Sequence, residues 1–170
     1  ITSCHIFKFL FAGRIHGLIK QYGSGENKAK ADGFGRKKEA VYLCLEYYRK
    51  HHTYLTEVKA AQVKWDLVGG HDAAMLRFLP AMQTDIFLRF HEKILILDAK
   101  YYSQTLQQLF NKETLHSANL YQIYTYVKNQ DAAHTGNVSG LLVYAKTQEA
   151  ITPNCLFNLG GNQIGARTLD

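Results

Sequence analysis

Asp85, Asp98 and Lys100 are the residues whose types and spacing could do chemistry. They lie in two β-rich runs, "TDIFLRF" and "KILILDAKYY", separated by His91 and Glu92, a gap short enough for a hairpin turn. With those two residues as the turn, facing positions sum to 183. Phe90 then meets Lys93, Leu88 meets Leu95, and Asp85 meets Asp98. Facing residues have Cβ atoms about 4.5 to 5.5 Å apart, and like charges so placed repel. Side chains alternate along a strand, so Asp98 and Lys100 share one face while Leu97 and Ala99 share the other. A divalent cation between the carboxylates would cancel their repulsion. Hard oxygen ligands with no Cys or His nearby suit Mg2+, with Mn2+ possible, better than zinc. Lys100 could then orient or deprotonate a water, or neutralise an oxyanion. The same residues also read as two strand-end carboxylates at the surface with Lys100 as their ion partner.

The elements that must position them can be read around this hairpin. "KEAVYLCLEYYRKHH", residues 38–52, places Ala40, Val41, Leu43, Cys44, Tyr47 and Tyr48 on one helical stripe, with basic residues at its end, where a helix dipole favours them. "EVKAAQVKWDL" predicts a strand or short helix that stops at the turn-forming Gly69-Gly70. From Ser117, a plausible N-cap, Leu120, Ile123, Tyr124 and Val127 recur at helical spacing. "SGLLVYAKT" predicts one strand and "CLFNLGGNQIGARTLD" one more. A hairpin followed by helix and strand suggests a mixed sheet with helices packed on it. Residues 1–38, with "YGSGENKAKADGFGRKK", are expected to be loop or poorly ordered. They contain neither GxxxxGK[ST] nor GxGxxG, so a nucleotide-binding loop is not indicated.

Composition bounds the class. The chain has 170 residues, 46% hydrophobic and 20% charged, enough for one domain with a proper core and far from disordered or fibrous compositions. No apolar run approaches the roughly 18 residues of a membrane span, and no secretory signal pattern is present. Cys4, Cys44 and Cys155 show no ligand or disulfide spacing, which points to a reducing cytoplasm. Asn137-Val138-Ser139 matches a glycosylation acceptor and is read as coincidence. Net charge is +6, with nine of the twenty Lys and Arg between Arg14 and Lys50, which favours a polyanionic partner such as DNA. The scattered histidines and Trp65 are expected at the surface and in the core respectively.

"TDI" followed, 13 positions after its aspartate, by "DAK" resembles the bipartite PD-(D/E)xK nuclease signature, Thr84 standing where a proline is common. Together "LPAMQTDIFL", "ILILDAKYY", "HSANLYQIYTYVKN", "GLLVYAKT" and "GNQIGARTLD" resemble, over residues 45–170, the nuclease domain of McrC-type subunits of 5-methylcytosine restriction systems. The resemblance implies a restriction-endonuclease-like α/β fold, a mixed sheet flanked by helices. It implies Asp85, Asp98, Lys100 and Gln122 as catalytic residues, and a metal site of Asp85, Asp98 and the Ala99 carbonyl. Tyr126, Gln83 and Tyr101 are then DNA-contacting or supporting residues. Gln122 and Tyr126 fit a Gln-x-x-x-Tyr element, and four residues apart they share a helix face.

The implied partner is a McrB-type AAA+ GTPase motor that recognises methylated DNA. Residues 1–44 match the family poorly, and neither Glu39 nor Glu46 falls at its helix-borne glutamate. Further helix is expected beyond Asp170. Besides the metal-dependent endonuclease, two alternatives stand: a non-catalytic subunit that docks on the motor and stimulates its GTPase, and a degenerate remnant.

Overall fold

The computed structural model describes residues 33–70, 72–102, 105–109, 112–145, 148–150 and 152–169. Its centre is a six-stranded mixed sheet. The elements in chain order are α1 (Gly33–His51), β1 (Glu57–Lys59), β2 (Gln62–Val63), α2 (Ala73–Leu76), β3 (Met82–Gln83), β4 (Ile86–Phe90), β5 (Lys93–Lys100), β6 (Leu106–Leu109), β7 (Lys112–Leu115), α3 (Ser117–Gln130), β8 (Val138–Ala145), β9 (Asn154–Leu159) and β10 (Asn162–Leu169). The main sheet runs β1-β4-β5-β8-β10-β9, and β2-β3 and β6-β7 form two small ribbons. β4 and β5 are antiparallel, while β5, β8 and β10 run parallel. The expected α/β class with a mixed sheet is therefore observed.

The hairpin register follows the sum of 183: Phe90 pairs Lys93, Leu88 pairs Leu95 and Ile86 pairs Leu97. His91 makes the tight turn possible by adopting φ of +51°, a left-handed value that costs a non-glycine residue some strain. Alternation along β5 then sorts its side chains. Ile94 and Ile96 join the core under α3, with Phe87, Ile123, Tyr126, Val127 and Leu142. Leu95 and Leu97 join the core under α1, with Leu45, Tyr48, Ile86, Leu88 and Leu141. A helix thus covers each face of the sheet, and Asp98 and Lys100 continue the row that faces α3. Gly140 on β8 lets α3 settle close, since a Cβ there would meet Ile123 Cγ1 at 2.7 Å and Val127 Cγ2 at 2.8 Å.

Four expectations need correction. Residues 33–38 are the first turns of α1, not loop; residues 1–32 lie outside the described residues. Ser117 is the first helical residue rather than the N-cap, which is His116 and makes no side-chain cap hydrogen bond. "CLFNLGGNQIGARTLD" is a β9-β10 hairpin instead of one strand, turning on Gly160 and Gly161 at φ of +55° and +89°. Leu106–Leu109 and Lys112–Leu115 form the β6-β7 ribbon, which the sequence reading passed over. The undecided run "EVKAAQVKWDL" resolves into β1 and β2. α1 runs through residues 44 and 45, where the sequence reading divides the chain.

Candidate active site

The two carboxylates converge where β4 and β5 end. The ladder stops one pair short, at Ile86 and Leu97, so Asp85 is released from the strand. Its Oδ2 accepts a hydrogen bond from the Ala99 backbone N–H at 2.8 Å. Thr84 fixes the chain just before it: buried, its hydroxyl donates to the Ala61 carbonyl at 2.9 Å and accepts from the Ala61 N–H at 3.0 Å. This is what the residue at the proline position does here. Asp85 keeps partial exposure, whereas Asp98 is 2% exposed and Lys100 8%.

Lys100 Nζ lies 2.5 Å from Asp98 Oδ2 and donates to Gln122 Oε1 at 2.8 Å. Gln122 in turn donates to the Tyr126 hydroxyl at 2.9 Å. The Gln-x-x-x-Tyr pair of α3 is therefore a bracket that holds the ammonium over the strand. Among the described residues the Lys100 ammonium is the one partner of Oδ2, so this buried carboxylate oxygen has an ion-pair contact and no further donor. Burial is the main reason the Asp98 carboxyl is held above the usual carboxylate range. The positive charge of Lys100 opposes the shift, and the charge of Asp85 adds to it.

The repulsion between the carboxylates is offset by a residue that the sequence reading missed. Lys37, in the second turn of α1, places Nζ 2.8 Å from Asp85 Oδ2 and 4.0 Å from Asp98 Oδ1. Burial works against its charge, but the Asp85 hydrogen bond and the two carboxylate charges outweigh that and hold the ammonium above its ordinary value. Glu39 and Glu46 are both exposed, Glu46 paired with Arg49. The α1 side chain that reaches the carboxylates is thus a lysine. A second network adjoins the site: Tyr102 donates to Asn119 Oδ1 at 3.1 Å, and Asn119 Nδ2 donates to the Tyr144 hydroxyl at 3.3 Å.

The structure brings Asp85, Asp98, Ala99, Lys100, Gln122 and Tyr126 together. Tyr101 is half-buried beside them, its hydroxyl pushed up to about 12 by burial. Gln83 is exposed, and its amide donates to the Thr84 carbonyl at 3.3 Å. Among the described residues no group of three or more His, Cys, Asp or Glu could hold a metal ion. A cation here would rest on two carboxylates, a backbone carbonyl and its own waters, a set that fits magnesium's habit of keeping water ligands. Trp65 is half-buried against the core and donates to the Pro80 carbonyl at 2.8 Å. Cys44 and Cys155 are free thiols. Among the described residues no helix is long and apolar enough to cross a membrane.

Fold and site together define an α/β protein with an Asp/Asp/Lys cluster at the ends of two adjacent antiparallel strands, backed by a helix. No protein family model matches the chain. It is 34% identical over 109 residues to the type IV methyl-directed restriction enzyme EcoKMcrBC of Escherichia coli (strain K12), covering 61% of this chain and 31% of that protein. The chain thus matches under a third of that relative's length. It also resembles a chain in the refined half-complex from the tetradecameric assembly of Thermococcus gammatolerans McrB AAA+ hexamers with bound McrC. That likeness has a TM-score of 0.52 at 13% identity and covers 81% of this chain and 28% of that one, a likeness of fold. The two comparisons bear out the resemblance to McrC-type subunits of McrBC restriction systems.

Proposed function

We propose that this chain is the nuclease part of a modification-dependent restriction system, a cytoplasmic metal-dependent endodeoxyribonuclease of the restriction-endonuclease-like fold, with the nuclease core in residues 45–170. The observation that carries the proposal is Asp98: a carboxylate 2% exposed, set beside Asp85, whose Oδ2 meets the Lys100 ammonium and no other donor among the described residues. A buried charge is costly unless paired or coordinating a metal, and Lys100 alone leaves Oδ2 with valence to spare. Asp85, Asp98 and the Ala99 carbonyl are the groups that would hold Mg2+ or Mn2+, which would supply Lewis-acid polarisation of a phosphodiester and a more acidic water.

The chain's own residues do the positioning. Gln122, braced by Tyr126, aims the Lys100 ammonium so that it can orient a water or balance charge developing on a phosphate oxygen, where a fixed cation in a partly dry site acts strongly. The net charge of +6 favours a DNA substrate. The names of the two similar proteins support methylated DNA as that substrate and a McrB-type AAA+ subunit as the partner, and the family resemblance implies that this subunit is GTP-driven.

The test is Asp98→Ala in a complex reconstituted with the motor. Magnesium-dependent cleavage of methylated DNA is expected to be lost while stimulation of the motor's GTPase is kept. Unchanged cleavage overturns the proposal. Absence of cleavage by the unaltered chain, with GTPase stimulation retained, favours the docking-subunit reading instead.

A further inference from the structure

Lys37 is a cation already seated between the two carboxylates. Its Nζ is 2.8 Å from Asp85 Oδ2 and 4.0 Å from Asp98 Oδ1, with 28% of the side chain exposed. Lys100 cannot leave easily, being 8% exposed and bracketed by Gln122. Lys37 is held differently, with a long flexible stem, a path to solvent, and the two carboxylates as its ion-pair partners. The charges also balance: Asp85 and Asp98 against Lys37 and Lys100 leave the cluster neutral. A divalent ion entering that neutral cluster would meet an ammonium at contact distance from the very oxygens it needs.

We propose that Lys37 is a tethered counter-cation that occupies the divalent-metal position, so that metal entry requires its ammonium to swing out toward solvent. This rests on the metal-site reading above and adds to it a residue that sets how tightly the site takes metal. Lys37 keeps the two carboxylates from repelling while no metal is bound. Once displaced, it stands at the rim of the site as a mobile positive charge, suited to an anionic phosphodiester. It also follows that this site takes divalent cations more weakly than its carboxylates alone would.

The experiment titrates Mn2+ into the folded 170-residue chain by calorimetry, for the unaltered protein, Lys37→Met, Lys37→Gln and Lys37→Arg, with circular dichroism to confirm folding. Removing one unit charge near 4 Å from the ligands is expected to tighten Mn2+ binding about tenfold or more in Lys37→Met and Lys37→Gln. Lys37→Arg should stay near the unaltered protein. In the unaltered chain Mn2+ should also speed acetylation of Lys37 by a short reagent pulse read by mass spectrometry, as the ammonium leaves its carboxylates.

Binding that is equal or weaker in both neutral variants, with the fold intact and the unaltered protein binding, overturns the role of Lys37 and leaves the metal site standing. If neither the unaltered chain nor any variant binds Mn2+, both the role and the metal reading fail. Binding seen only in the neutral variants supports the proposal in its strongest form.

Discussion

Asp98 and Asp131 are buried to nearly the same extent, 2% and 3% exposed, but their surroundings differ in kind. Asp131, at the end of α3, is saturated. Its Oδ1 accepts from the Thr135 N–H and hydroxyl, and its Oδ2 from the Gly136 N–H and the Asn162 amide, all within 3.0 Å. Burial pushes its carboxyl up, but those donors outweigh it and hold the group below the usual carboxylate range. Asn162 also donates to the Val138 carbonyl, so the network ties the α3–β8 turn to β10. Asp98 has two lysines near it, its Oδ2 meets the Lys100 ammonium and no other donor among the described residues, and its carboxyl is held high. Asp131 is complete within the fold. Asp98 is stable there only at a cost, as expected of a group arranged for something that the fold does not itself contain.

Substitutions that sharpen the contrast can be ordered by size. Asp98→Ala should lower magnesium-dependent cleavage in the reconstituted complex by about a thousandfold or more, roughly 4 kcal/mol of barrier, checked by gel assay of methylated DNA. Asp131→Ala should instead cost stability, roughly 3 kcal/mol, because it strands several buried donors; thermal denaturation should show a fall of about 6 to 12 °C. Gln122→Ala, which frees Lys100 but leaves its charge, should lower cleavage about tenfold, roughly 1.4 kcal/mol, without changing the melting temperature by more than a few degrees.

The smallest effect is the most diagnostic. Asp98→Asn should leave the melting temperature unchanged or slightly raised, since it removes a buried carboxylate whose charge the fold disfavours; a fall of 6 °C or more would put Asp98 in the same class as Asp131. Acid titration separates the classes again. A carboxyl with a depressed folded pKa contributes stability that is fully present above its unfolded value, near 3.9, and lost as pH falls through the lower folded one. The stability advantage of the unaltered protein over Asp131→Asn should therefore hold down to about pH 4 and shrink below it, as followed by urea unfolding at each pH.

Much of the Asp98 side of this comparison was legible in the residues. The register followed from a two-residue gap, alternation placed Asp98 and Lys100 on one face, and the i, i+4 spacing of Gln122 and Tyr126 put them side by side. Lys37 escaped because the apolar stripe of α1 starts only at Ala40, and the glycine- and lysine-rich text before it reads as loop. Its partners lie 48 and 61 residues away in the chain, a distance no local pattern encodes. The Asp131 network was invisible for a similar reason, since Asn162 arrives from a strand 31 residues on. The β9-β10 turn was a different kind of miss. "LGGN" carries the glycine pair that positive φ requires, and the signal was in plain view.

On the proposed reading Asp98 is a ligand for a divalent cation that must displace Lys37. Electron paramagnetic resonance of Mn2+ titrated into the unaltered chain and into Asp98→Asn, both verified as folded, addresses it most directly. One bound ion in the unaltered chain, lost in Asp98→Asn while the melting temperature holds, is the predicted result. Equal binding in the two proteins, or an absence of binding in both that persists when Lys37→Met is added to the unaltered chain, would contradict it.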